Sequence, residues 1–186
     1  MADLFYVIGA SGVGKDSLLD YVRQHLPLEA PVMFAHRYIT RAADAGYENH
    51  IAVSEEEFQR QLDQGCLAMH WDSHGYRYGI GIEINQWLAK GINVVMNGSR
   101  GYLAKATWDY PELIPVLIRV EESTLRQRLE QRGRESAAEI EKRLERASDF
   151  DKLEHPRMIV INNEGDLNQA GQQLTNLVVG SAIQCA

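Results

Sequence analysis

The chain lacks the residues that would place it in an oxidising compartment or a membrane. Its two cysteines, Cys66 and Cys185, lie far apart with no paired spacing. They indicate neither a disulfide framework nor a zinc site, and a reducing, cytoplasmic setting is expected. No apolar run approaches bilayer-spanning length. Strand-forming residues begin at Leu4, so no signal peptide is expected ahead of them. Repeats, linkers and low-complexity segments are missing too, so the 186 residues are expected to form one domain. Positive charge is in deficit: the formal net charge of −7 argues against a general nucleic-acid binder. Lysine is scarce, and 14 of the 19 basic residues are arginine, whose planar fork suits bidentate phosphate contacts. The partners expected are small molecules, with no nucleic acid and no membrane, and nothing in the sequence fixes an oligomeric state. An apolar fraction of 45% is enough for an ordinary core.

What is present is concentrated near the start. Leu4-Phe5-Tyr6-Val7-Ile8 reads as a strand, and Leu18, Leu19, Val22 and Leu26 have the spacing of one helix face. Between them runs Gly9-Ala10-Ser11-Gly12-Val13-Gly14-Lys15-Asp16-Ser17. A glycine-rich turn between strand and helix, ending in Gly-Lys, points to a phosphate-binding loop. The glycines let successive N–H groups curl inward around a polyphosphate, and the helix start adds partial positive charge. Lys15 would supply an ammonium to the β- and γ-phosphates of ATP. The plain alternative is a tight surface turn before an ordinary helix. The hydroxyl residue normally found after the lysine is Asp16 here, with Ser17 one place later. Asp16 and Ser17 are the candidate Mg²⁺ ligands, since Mg²⁺ takes oxygen donors and keeps waters. Asp16 is equally explained as a favourable acid in a first helical turn.

The rest of the chain alternates strand-like and helix-like stretches. The first helix is expected from Asp16 to His25. His36-Arg37-Tyr38-Ile39-Thr40-Arg41 reads as extended and Ala42 to Asn49 as a loop. Ser54-x-x-Glu57 and Ser136-x-x-Glu139 each open a helix with a capping box. Leu67 to Trp71 reads as a strand. His74 to Gly81 reads as a glycine- and aromatic-rich loop suited to ligand contact, with a β-hairpin as the alternative. Ile92 to Met96, Leu113 to Val120 and Met158 to Ile161 are strands, the first leading into Asn97-Gly98-Ser99-Arg100. Helices are expected over 123–132, from Ser136 to about Asp149, and over 166–179, with a loose tail from Gly180. Arg126, Arg128, Arg132, Arg134, Arg143 and Arg146 lie in the helical hairpin, with five glutamates interleaved. Ion pairs at i,i+4 spacing account for some of them, while the group around Gly133 fits a lid over a nucleotide. Strands alternating with helices imply a mostly parallel α/β sheet flanked on both faces.

Residues 4 to 179 as a whole resemble the guanylate kinase family of phosphate-loop phosphotransferases. The pieces are Gly9 to Lys15, Thr40-Arg41, the Gly75 to Gly79 loop with Tyr78, Arg128-Leu129-x-x-Arg132-Gly133, Lys142-Arg143-Leu144 and Val160-Ile161-Asn162. The guanine-reading glutamate has no counterpart in Leu67 to Trp71, and Asp44 and His50 stand where that family clamps a monophosphate. Gly-Lys-Asp-Ser at 14–17, His-Arg-Tyr-Ile-Thr-Arg at 36–41, Glu-Asn-His-Ile at 48–51 and Asn-Gly-Ser-Arg at 97–100 look like the ribose 1,5-bisphosphate phosphokinase branch of phosphonate breakdown. The resemblance implies a core over 1–34, 82–122 and 150–180, an acceptor-binding subdomain over about 35–81 and a lid over about 123–149. It implies ATP and Mg²⁺ as cofactors, and ATP contacts from residues 9 to 17 and Asn162. Lys15, Arg128, Arg132 and Arg143 would be catalytic. Arg37, Arg41, Glu48, Asn49, Tyr78, Asn97 and Arg100 would hold the acceptor. The alternatives are a guanylate kinase acting on GMP and a non-catalytic interaction domain of the same fold.

Overall fold

The computed structural model describes residues 2–42, 50–133 and 135–183. In chain order the first elements are β1 (Leu4–Ile8), α1 (Lys15–His25), β2 (Val32–Ala35), β3 (Arg37–Ile39), β4 (Ile51–Ala52) and α2 (Glu55–Asp63). Then come β5 (Leu67–Ser73), β6 (Tyr76–Gly81), α3 (Glu83–Ala89), β7 (Asn93–Asn97) and α4 (Leu103–Asp109). The chain finishes through β8 (Ile114–Arg119), α5 (Glu122–Arg132), α6 (Ala137–Ser148), β9 (Ile159–Asn162) and α7 (Leu167–Ile183).

A five-stranded sheet in the order β2-β7-β1-β8-β9 has every neighbouring pair parallel. A strand covered on both faces needs apolar residues at nearly every position, and β1 and β7 are buried at all five of theirs. Alternate residues serve opposite layers. Phe5 and Val7 pack with Leu18 and Val22 of α1 and with Ala170, Leu174 and Val178 of α7. Leu4, Tyr6 and Ile8 pack with Ile84 of α3 and with Leu103 and Ala106 of α4. Asn93, buried at the start of β7, donates to the Val178 carbonyl (2.7 Å) and accepts from the Asp3 amide (2.9 Å). Both halves of its amide are therefore satisfied. The Tyr6 hydroxyl is bonded to both the amide and the carbonyl of Ser99, each at 2.9 Å, and burial pushes its phenol well above the usual range. Helix α7 lies against α1 so closely that a Cβ on Gly171 would run into the Tyr21 ring. Pro115 sits within β8, one residue before the ladder to β9 begins at Val116, so its missing N–H removes no bond of that ladder.

A second, four-stranded sheet has the order β4-β3-β6-β5, with β3 and β4 parallel and the other pairs antiparallel. Of the two readings of 74–81, loop and β-hairpin, the hairpin is the one found: its turn is followed by strand β6. His74 and Gly75 both take positive φ, 51° and 78°, as a two-residue turn matched to strand twist requires. The alternation of Tyr76, Tyr78 and Ile80 then outweighs the intervening Gly79, which lies under Leu67 and Phe58.

Three further departures concern elements. β2 and α4 carry no signal strong enough to have been anticipated. Helix α7 continues through Gly180 to Ile183, where a loose tail was expected. The capping box at Ser136 is complete, whereas Ser54 accepts from the Glu57 amide but the Glu57 carboxylate turns to Arg60. Among the described residues no helix is long and apolar enough to cross a membrane.

Candidate nucleotide and acceptor site

The loop between β1 and α1 is held from behind. Gly12 and Gly14 take φ of 102° and 90°, where a side chain is strained. A Cβ on Gly12 would meet Leu125 of α5 at 2.9 Å, and one on Gly14 would meet the Asn163 amide at 2.6 Å. The Val13 carbonyl accepts from Asn163 Nδ2 (2.8 Å) and from Arg128 Nη1 (3.2 Å), while Arg128 Nη2 donates to the Asn163 carbonyl (2.7 Å). One guanidinium and one buried amide thus fix the loop to the end of β9 and the middle of α5. Lys15 opens α1 and is half-buried.

Asn162, expected at the nucleotide, is exposed on β9, and its neighbour Asn163 is the one that reaches the loop. Continuing the in–out alternation two places beyond the buried Ile161 would have found it, since Asn163 is again inward.

The arginines of the helical hairpin differ in what they bond. Arg126 pairs with Glu122 (3.3 Å) and with Glu141, whose carboxyl it holds below the usual range; for this residue the ion-pair alternative is the observed arrangement. Arg128 is committed to the loop as described. Arg143 bridges, donating to Ser11 Oγ at 2.6 Å and pairing with Glu135 at 2.6 Å. Glu135, which the sequence reading passed over, therefore orients the arginine that reaches the loop. Arg132, at the end of α5, is exposed and has no partner among the described residues. Arg134 lies outside them.

On the other side, the Arg37 guanidinium lies 5.2 Å from the Tyr78 ring centroid, and Tyr78 stacks on Trp71 at 5.7 Å. Tyr102 closes against Trp71 at 5.4 Å. Arg41 follows β3, and its carbonyl bonds the ring of the buried His50 at 3.1 Å. Arg100 turns toward the hairpin: it pairs with Asp149 at 2.9 Å and lies over the Phe150 ring. That guanidinium, with Lys152, holds the Asp149 carboxyl below its usual range. Glu48, Asn49 and Asp44 lie outside the described residues.

At the foot of the loop Asn97 Nδ2 donates to Asp16 Oδ1 at 3.1 Å. Asn97 Oδ1 is buried and has no hydrogen-bond partner among the described residues. The exposed Ser17 follows Asp16. The Asp16 carboxylate and the orphaned amide oxygen of Asn97 are oxygen acceptors of the kind that Mg²⁺ and its waters take. Among the described residues no cluster of three or more His, Cys, Asp or Glu could hold a metal alone.

The AAA domain profile matches residues 6–149. A ribose 1,5-bisphosphate phosphokinase PhnN from Psychromonas ingrahamii is 52% identical over 97% of this chain and 92% of its own length. One from Desulfomicrobium baculatum is 53% identical over 98% and 97%. The chain belongs to the ribose 1,5-bisphosphate phosphokinase PhnN family. The chain has the guanylate kinase-like phosphate-loop fold: the crystal structure of guanylate kinase from Anaplasma phagocytophilum superposes with a TM-score of 0.69, covering 97% of this chain and 86% of that one. At 19% identity that likeness shows the fold alone.

Proposed function

We propose that the protein transfers the γ-phosphoryl group of ATP to the 1-phosphate of ribose 1,5-bisphosphate, giving 5-phosphoribosyl 1-diphosphate and ADP. The observation that carries this is a phosphate loop braced by Arg128 and Asn163 and approached by Arg143, in a chain about half identical to named phosphokinases over nearly its full length. An oxygen of the acceptor's 1-phosphate bonds to the γ-phosphorus as the bond from that phosphorus to the β–γ bridging oxygen breaks, and the electron pair leaves with ADP. The acceptor oxygen is already ionised near neutral pH, so no general base is required. The obstacle is repulsion between two polyanions, and the protein's contribution is positioning and charge neutralisation.

The loop amides of residues 9 to 14 and Lys15 hold the ATP phosphates. Arg143 and Arg132 come from the hairpin, acting as a lid, to the transferring group, with Arg128 bracing the loop beneath. Arg37, Arg41 and Tyr78 hold the acceptor, with Glu48 and Asn49 on its hydroxyls. Arg100 exchanges Asp149 for an acceptor phosphate. Asp16 and Ser17 would hold Mg²⁺, which when bound neutralises charge on the β- and γ-phosphates. The setting proposed is the cytoplasm, in phosphonate catabolism.

A coupled ADP-release assay comparing ribose 1,5-bisphosphate with GMP tests the reading. The ribose substrate should be preferred by orders of magnitude in kcat/KM. Preference for GMP would return the protein to guanylate kinase activity, and turnover of neither would favour the interaction domain.

A further inference from the structure

Asp16 and Asn97 meet at the foot of the phosphate loop, and their residue types are the reverse of the usual arrangement. Phosphate-loop nucleoside triphosphatases hold Mg²⁺ with the hydroxyl after the loop lysine and an aspartate from a neighbouring strand. Here the residue after Lys15 is the acid, and the residue ending β7, beside β1, is an amide. One carboxylate is kept across the pair, but it has changed sides. Asn97 is only 8% exposed, donates to Asp16 Oδ1 at 3.1 Å, and leaves its own buried Oδ1 without a partner among the described residues. A buried amide that spends its donor on a carboxylate and keeps its acceptor unbonded points to a missing donor on that side.

We propose that Asp16 and Asn97 have exchanged the acidic and neutral halves of the cation site, with Asn97 as the positioning residue that aims the Asp16 carboxylate. The proposal rests on the reading of the protein as an Mg²⁺–ATP enzyme. By occupying one oxygen of Asp16, Asn97 leaves the other for the cation. Its own Oδ1 accepts from a water of the cation's shell, as Mg²⁺ retains waters. Two carboxylates at this separation would repel whenever the ion was absent. Two neutral groups would offer the ion no charge. The pair avoids both conditions, and it takes Asn97 away from the acceptor sugar.

The test is Mn²⁺ titration by electron paramagnetic resonance in the presence of a non-hydrolysable ATP analogue, alongside analogue affinity in EDTA. Asn97→Ala should weaken Mn²⁺ binding about tenfold, the scale of losing a residue that orients a metal ligand, with affinity in EDTA unchanged. Asp16→Ser should weaken it further, and adding Asn97→Asp to Asp16→Ser should recover most of that loss. Unchanged Mn²⁺ affinity in Asn97→Ala overturns the proposal, as does a double variant no better than Asp16→Ser. A raised KM for ribose 1,5-bisphosphate with Mn²⁺ affinity intact would assign Asn97 to the acceptor and likewise overturn it. If melting shows the double variant to be unfolded, the Asn97→Ala arm decides alone. Failure of the unmodified protein to bind the analogue at all would sink the functional reading instead.

Discussion

In the five-stranded sheet, β1 and β7 are buried along their whole length. In the four-stranded sheet both residues of β4 are exposed, and β5 is fully buried only at Met69. The groups that would act differ accordingly. Those of the larger sheet sit at or just beyond strand ends, and hydrogen bonds across long sequence separations hold them, as with Asn97 to Asp16 and Asn163 to Val13. In the smaller sheet Arg37 and Tyr78 lie within strands and are in contact through the Tyr78 ring, which stacks on Trp71. Buried, mutually bonded supports fix geometry closely. The larger sheet is therefore suited to the chemical step and the smaller one to choosing what is phosphorylated. Damage to the first should appear in kcat and stability, and damage to the second in KM.

The largest effect is expected from Lys15→Ala, with kcat falling about a hundredfold or more, as when one donor to developing charge is removed, and an unchanged circular dichroism spectrum. Near-normal turnover would break the comparison. Arg128→Ala should destabilise the fold by about 1.5–3 kcal/mol, since it removes charged hydrogen bonds to two carbonyls. A denaturant titration with no loss would show that the loop needs no brace. Arg132→Ala should lower kcat about tenfold while leaving ATP affinity and melting temperature alone. An effect confined to KM would make it a binding residue. The smallest change is expected from Arg37→Ala: KM for the ribose substrate should rise several-fold, on the scale of about 1 kcal/mol for an arginine over a ring, with kcat held. A fall in kcat instead would erase the division between the sheets.

Most of the larger sheet could be read in advance because its physics is local. An apolar block, a glycine loop and a periodic helix lie within the first 26 residues, and the capping box at Ser136 marks a helix start by itself. The smaller sheet is less legible. Gly79 and Gly81 look like loop residues until the strands paired with them are known, and β4 has only two residues. For the site, the loop, Lys15 and the hairpin arginines are visible as types and spacings. Their partners are not. Nothing in the sequence says that Arg128 faces the Val13 carbonyl, 115 positions away, or that Asn163 bonds the same carbonyl. The roles of those side chains are set by contacts that exist only once the sheet has assembled.

The close approach of Gly171 to Tyr21 makes the carboxy-terminal helix the back wall of the element that begins with Lys15. A single methyl group there would have to push the Tyr21 ring aside or part α7 from α1, the helix that carries Lys15 at its start. Sensitivity to substitution in this protein therefore need not fall off with distance from the reacting atoms: a silent-looking position in the final helix bears directly on the first.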